Sequence, residues 1–197
     1  MDLVLKDMRV LVAASSQGLG AATAVQCALE GARVTINGRD PAKLAKAAAA
    51  MRESTNSDIL AIPADVARAE DVRRLVDDAA TQMGGIDILV TNCGGPPAGT
   101  FEQITPEQWQ EAVNLVLMSA VNLIRVALPI MRLSDSPSIL AITSASTKQA
   151  MDNLLLSNAV RMGVAGLVKT LANELGPKGI RVNAILPGYT RTDRITS

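Results

Sequence analysis

The 197-residue chain has no histidine, and it has one tryptophan, one tyrosine and one phenylalanine. Without histidine, Ser-His-Asp and Cys-His chemistry is excluded. A zinc site loses its commonest nitrogen ligand, and no metal is expected. The two cysteines, Cys27 and Cys93, lie in unrelated contexts without metal-ligand spacing, as in a reduced, intracellular protein. Neither sign of charge dominates: basic and acidic residues number 19 each, which leaves no electrostatic footprint for nucleic acid or an anionic membrane. No apolar run is read as transmembrane length. The start, MDLVLKDMRV, lacks the features of a signal peptide. The expectation is a cytoplasmic α/β protein that uses neither nucleic acid nor membrane.

What the chain has is aliphatic bulk, which suits helices packed on a buried sheet. Its length suits one domain over 1–197. Six short β-branched runs read as strands: 9–13, 33–37, 58–62, 87–92, 138–143 and 181–186. Helical segments alternate with them near 18–30, 41–53, 68–83, 106–131 and 152–176. Asp40-Pro41 and Thr105-Pro106 mark helix starts. Such alternation predicts a doubly wound parallel sheet of the Rossmann type, flanked by helices.

The turn after the first strand reads AASSQGLGAAT. Gly18 lets a backbone approach a diphosphate, and Gly20 lets helix and sheet pack closely. Free N–H groups of the first helical turn attract phosphates, with Ser15 and Ser16 as added hydroxyl donors. The alternative is an ordinary Gly-containing turn. Gly38 leaves empty the acidic position that bonds the ribose of NAD. Arg39 follows and suits the 2′-phosphate of NADP, unless it is a plain surface charge. NADP(H) is thus the preferred cofactor, with NAD(H) possible, and Asp40 is a helix cap.

From Met8 to Thr192 these pieces resemble the short-chain dehydrogenases/reductases of the 3-oxoacyl-carrier-protein-reductase type. DILVTNCGG matches the family's fourth-strand segment through Asn92 and Gly94, and Asp65-Val66 its adenine contact. EAVNLV places Asn114 at the helix-4 asparagine. GIRVNAILPGYTRT matches the Pro-Gly segment through Pro187, Gly188 and Thr192, and the glycine turn includes Leu19. The resemblance implies hydride transfer between a nicotinamide and a carbonyl or alcohol substrate. It implies a serine that orients substrate oxygen, a tyrosine that moves its proton, a lysine that binds ribose, and an asparagine that holds a water. Register from Gly166-Leu167 puts Ser144 at the serine, Ser157 at the tyrosine and Arg161 at the lysine, so Tyr-x-x-x-Lys reads Ser-x-x-x-Arg.

A serine hydroxyl is a far weaker acid than a phenol. Arg161 keeps the charge but changes the donor geometry. Two outcomes follow: an oxidoreductase with an unusual catalytic set, or a catalytically impaired nucleotide-binding protein with a sensing or assembly role. A lyase or isomerase reaction is a third. Substitute proton donors are Tyr189, Lys148 and Asp152, and Arg191 and Arg194 are candidates for an anionic substrate. Ala14 stands where the family has its first turn glycine, so either its φ is negative or the turn is distorted. The chain stops where the family's last strand and lid would begin, which leaves the sixth strand as an edge. Family members associate through helices four and five. The resemblance therefore implies a homodimer or homotetramer through 106–131 and 152–176.

Overall fold

The computed structural model describes residues 3–192. Six parallel strands form one sheet in the order β3-β2-β1-β4-β5-β6. They are β1 Arg9–Val12, β2 Arg33–Gly38, β3 Ile59–Pro63, β4 Ile88–Thr91, β5 Ser138–Ile142 and β6 Arg181–Ile185. All six match the expected runs. The order reverses between β1 and β4, which opens a crevice at the carboxyl ends of those strands. Among the described residues β6 is an edge, with Ile185 exposed.

Helices α1 (Gly18–Leu29) and α2 (Pro41–Thr55) cover one face of the sheet. The other face takes α3 (Ala69–Met83), α5 (Ser119–Met131) and α6 (Leu155–Leu175). In α3, Val72, Leu75, Val76, Ala79 and Met83 recur at helical spacing and are all buried. Burying each of the larger ones contributes about 1.5–3 kcal/mol. Proline fixes φ at the start of α2, and Asp40 accepts from the N–H groups of Ala42 and Lys43 at 2.9 and 3.0 Å. Thr105 and Gln108 form a capping box for α4 (Pro106–Ala112).

Three expectations need correction. The helix expected over 106–131 is not uniform, because Val113–Met118 forms a π-helical turn between α4 and α5. The Ser119 N–H reaches the Asn114 carbonyl, and the Ser119 hydroxyl donates to the Leu115 carbonyl at 2.6 Å. By length and composition this 26-residue stretch is also apolar enough to cross a membrane, contrary to the reading of the sequence. Here its apolar side is a core surface, with Val116, Ala120, Leu123, Ile124 and Ala127 buried. Finally, the last helix starts at Leu155 rather than near 152. Asn153 has a φ of 58°, and Leu154 bridges to Gly99.

The amino end of the sheet is closed by one ion pair. Arg9 donates from Nε and Nη2 to the two carboxylate oxygens of Asp87 at 2.8 and 2.5 Å. Ser134 adds a bond to Asp87 at 2.6 Å. The bonds from Arg9 outweigh desolvation and lower the Asp87 pKa to about 2.

Candidate active site

At the carboxyl end of the sheet lies a cavity of about 320 Å³. The turn after β1 forms its floor. Gly18 has a φ of 61°, a conformation that favours glycine. A Cβ on Gly20 would stand 2.6 Å from the Ala14 carbonyl oxygen and 2.8 Å from Asn92 Nδ2. No larger residue fits there without opening the turn. The first turn of α1 carries no acidic residue and no side-chain cap, so its N–H groups suit an anion. Ala14 adopts a φ of 46°. The turn thus keeps the glycine-like conformation, and the Cβ bears roughly 1–2 kcal/mol of strain.

One buried amide ties three segments of the cavity together. Asn37 Oδ1 accepts from the Ala14 N–H at 2.8 Å, and its Nδ2 donates to the Ala64 carbonyl at 2.8 Å. An amide at the carboxyl end of a buried strand was the available signal for this role.

Ser15 departs from expectation. It is fully buried, donates to the Val12 carbonyl at 2.6 Å and accepts from the Asn37 N–H at 3.0 Å. Its hydroxyl therefore holds the turn, and Ser16 is the serine that lines the cavity. Asn92 also serves the turn, donating to the Ala14 carbonyl at 3.1 Å.

Gly18, Leu19, Arg39, Asp65, Val66, Asn92, Gly94, Arg161 and Thr192 line the cavity. A Cβ on Gly38 would press on Ser16, 3.0 Å from its Oγ. The second strand therefore has little room for an acidic side chain at that position. Lys43, which the sequence did not single out, bonds Gln17, a residue of the same cavity lining as Arg39. Pro187 and Gly188 stand outside the lining. The Pro187 carbonyl accepts from the Ala145 N–H at 2.9 Å, which fixes the segment leading to Thr192.

Near β5 three of the four expected catalytic residues, Ser144, Ser157 and Arg161, lie along one hydrogen-bonded chain. Arg161 is 9% exposed. Its Nε donates to Ser157 Oγ at 3.2 Å and its Nη1 to the Thr143 carbonyl at 3.3 Å. Ser157 Oγ lies 3.3 Å from Ser146 Oγ, and the Ser146 N–H donates to Ser144 Oγ at 3.1 Å. Ser146 is buried and joins the two expected serines, a role visible only in three dimensions. Ser144 and Ser157 stand behind Arg161 and Thr143 rather than in the lining. Leu115, not Asn114, meets the cavity. The Asn114 side chain accepts from Gln110 at 3.2 Å, and its carbonyl is engaged by the π turn.

The substitute proton donors turn away. Tyr189 is 84% exposed, and Lys148 and Asp152 are exposed as well, as is Arg191, the candidate for an anionic substrate. Arg194 lies outside the described residues.

Comparison with known proteins agrees with this geometry. A family model described as enoyl-(acyl carrier protein) reductase matches residues 13–197. A 3-oxoacyl-[acyl-carrier-protein] reductase of Staphylococcus epidermidis is 32% identical over 93% of this chain and 75% of its own. The L-sorbose reductase of Gluconobacter frateurii, solved with NADPH and L-sorbose, superposes with a TM-score of 0.95 at 32% identity, over 98% of this chain and 74% of that one. An NADPH-bound short chain oxidoreductase of Pseudomonas aeruginosa, described as containing an atypical catalytic center, gives 0.92 at 31% identity, over 97% and 76%. The chain belongs to the short-chain dehydrogenase/reductase family of NAD(P)-dependent oxidoreductases.

Proposed function

We propose that the protein is an NADPH-preferring reductase of a small carbonyl compound. The observation that carries this is one continuous cavity, running from the glycine turn and Arg39 to the buried Arg161. The fit for a dinucleotide rests on the Gly20 contact and on the uncapped first turn of α1. In this reading the α1 amides and Ser16 hold the diphosphate, and Asp65 and Val66 border the adenine. Arg39, with Lys43 beside it, takes the 2′-phosphate. Gly38 supports the preference, because it supplies no acidic side chain and a Cβ there would press on Ser16. Arg161 holds the nicotinamide ribose and faces the substrate oxygen. Thr192, whose Cγ2 lies 3.7 Å from a Cβ built on Gly18, covers the turn. When bound, the nicotinamide supplies a hydride.

Cytoplasmic placement belongs to the same proposal. So does association of two or four copies through 106–131 and 152–176, supported by the exposed Met118 and Met162 on those segments. The test is nucleotide binding followed by fluorescence. Arg39→Ala is expected to weaken NADPH about tenfold or more while leaving NADH unchanged, as the loss of a charge-assisted phosphate contact predicts. Equal weakening of both nucleotides would refute the assignment of Arg39.

A further inference from the structure

The sequence contains one Asn-Gly pair, Asn37-Gly38, and it stands at the cavity end of β2. Asn-Gly is the dipeptide most open to deamidation. The glycine amide nitrogen attacks the asparagine side-chain carbonyl carbon, and ammonia leaves. Water then opens the succinimide to aspartate or isoaspartate. Glycine favours the attack because it has no Cβ and its backbone bends freely. No oxidant is needed, and water is the one co-reactant.

The folded chain forbids that attack. Asn37 is fully buried. Its N–H donates to Ser15 Oγ at 3.0 Å, and its carbonyl accepts from the Ser15 N–H at 2.8 Å. Its side chain is held at both ends, by the Ala14 N–H and by the Ala64 carbonyl. Gly38 pairs with Pro63 in the sheet, and its carbonyl accepts from the Ala64 N–H at 3.1 Å. The side-chain carbon can swing onto the Gly38 nitrogen only after the Ala14 and Ala64 bonds part and the end of β2 bends.

The turn after β1 is the weak part of this clamp. Ala14 sits at a φ of 46°, which alanine adopts under strain. The first turn of α1 beyond it has no side-chain cap, so its N–H groups are left for solvent or an anion. Ala14, Gly38 and Ala64 also line the nucleotide cavity. A bound dinucleotide therefore clasps from outside the same three segments that Asn37 clasps from inside.

We infer that Asn37-Gly38 is a deamidation site, opened by the turn after β1 and shielded by bound nucleotide. Conversion ends cofactor binding. Aspartate at this position turns an acceptor toward the Ala64 carbonyl where a donor stood, and it places a carboxylate where the side chain is fully buried. Isoaspartate lengthens the backbone of β2 by one atom just before Arg39. Empty molecules thus age at this site while occupied ones are spared. The inference rests on the nucleotide occupying this cavity, as in the reading above.

The test is a time course read by mass spectrometry. Purified full-length protein is held in warm, mildly alkaline buffer with and without NADPH, then digested with trypsin. Cleavage after Arg33 and Arg39 releases Val34–Arg39, whose mass reports position 37. The exposed Asn56, followed by Ser57, serves as an internal clock. NADPH at about 100 times its Kd should slow conversion at position 37 roughly 100-fold, by mass action on the opening. The rate at Asn56 should not change. Ala14→Gly relieves the turn and should slow conversion at position 37 about fivefold without any nucleotide. Asp87→Ala weakens the opposite end of the sheet, so it should leave the rate at position 37 unchanged if the turn opens locally. Acceleration in step with lost global stability overturns the local opening. Equal rates with and without bound NADPH, or no conversion at position 37 once Asn56 has largely converted, overturn the site. The converted species, separated by anion exchange and shown folded by circular dichroism, should bind NADPH about tenfold or more weakly, as an unpaired buried polar group dictates. Unchanged affinity overturns the consequence. Fluorescence titration of fresh protein separates the two readings: if NADPH does not bind, the cofactor reading fails, and the Ala14→Gly and Asp87→Ala arms still decide the site.

Discussion

Two arginines sit at opposite ends of the same sheet, and their surroundings differ in one respect. Arg9 meets a carboxylate that answers it with both oxygens, and Ser134 completes that carboxylate. Arg161 is more deeply buried and, among the described residues, its hydrogen bonds go to a hydroxyl and a carbonyl. The first arrangement is closed, and its charge is spent on holding β1 to the start of β4. The second is open, with charge and donors left over. The same residue type thus serves stability where its valence is filled and chemistry where it is not.

The sharpest way to break this comparison is to remove the open charge. Arg161→Met is expected to lower kcat/KM by about 10²–10³, the cost of losing one preorganised charged donor. Its thermal midpoint should hold or rise, since an unpaired buried cation is gone. A large drop in Tm would show that Arg161 is structural after all.

Removing the closed pair should do the opposite. Asp87→Ala is expected to cost about 2–3 kcal/mol in urea unfolding, less than a fully buried pair because Arg9 is partly exposed and can rehydrate. The activity per folded molecule should stay the same. The sites are remote, so a double variant should show the sum of the two effects.

Acid sharpens the contrast further. The folded-state pKa of Asp87 is depressed from 3.8 to about 2. Its contribution is therefore present above 3.8 and is lost as pH falls through about 2. Wild type should lose about 2 kcal/mol over that window. Asp87→Asn should flatten the window, and an unchanged slope would mean that other carboxylates govern acid unfolding.

The smallest expected effect concerns Ala14. Ala14→Gly relieves a left-handed alanine and should add about 1 kcal/mol of stability. A destabilised variant would mean that the Cβ contributes packing worth more than its strain.

Much of this was legible in the sequence, for physical reasons. Short β-branched runs buried on both faces have few alternatives to a parallel strand, and all six were found. Prolines at 41 and 106 announce helix starts because they fix φ where no N–H is needed. The glycine turn was legible because a φ of 61° favours glycine at Gly18 and a neighbour at 2.6 Å demands it at Gly20. The π turn at 113–118 was not, since VNLVLM has the same composition as an α-helix. The inward face of Ser15 was hidden because sequence gives a hydroxyl but not its direction. Ser146 escaped notice because its partners are two serines on different segments, one of them eleven residues away. The family register placed Ser144, Ser157 and Arg161 in one neighbourhood, and the structure adds Ser146, which bonds both serines.

The Asn37 amide carries a consequence for protein engineering. Because it bonds the turn after β1 and the end of β3 from the end of β2, three crossings of the chain behave as a single mechanical part. A chimera that borrows its cofactor-selecting loop from another oxidoreductase must bring a matching residue at 37, or the graft arrives without its fastener. Conversely, position 39 can be edited on its own, since the hinge it hangs from is already locked at Asn37.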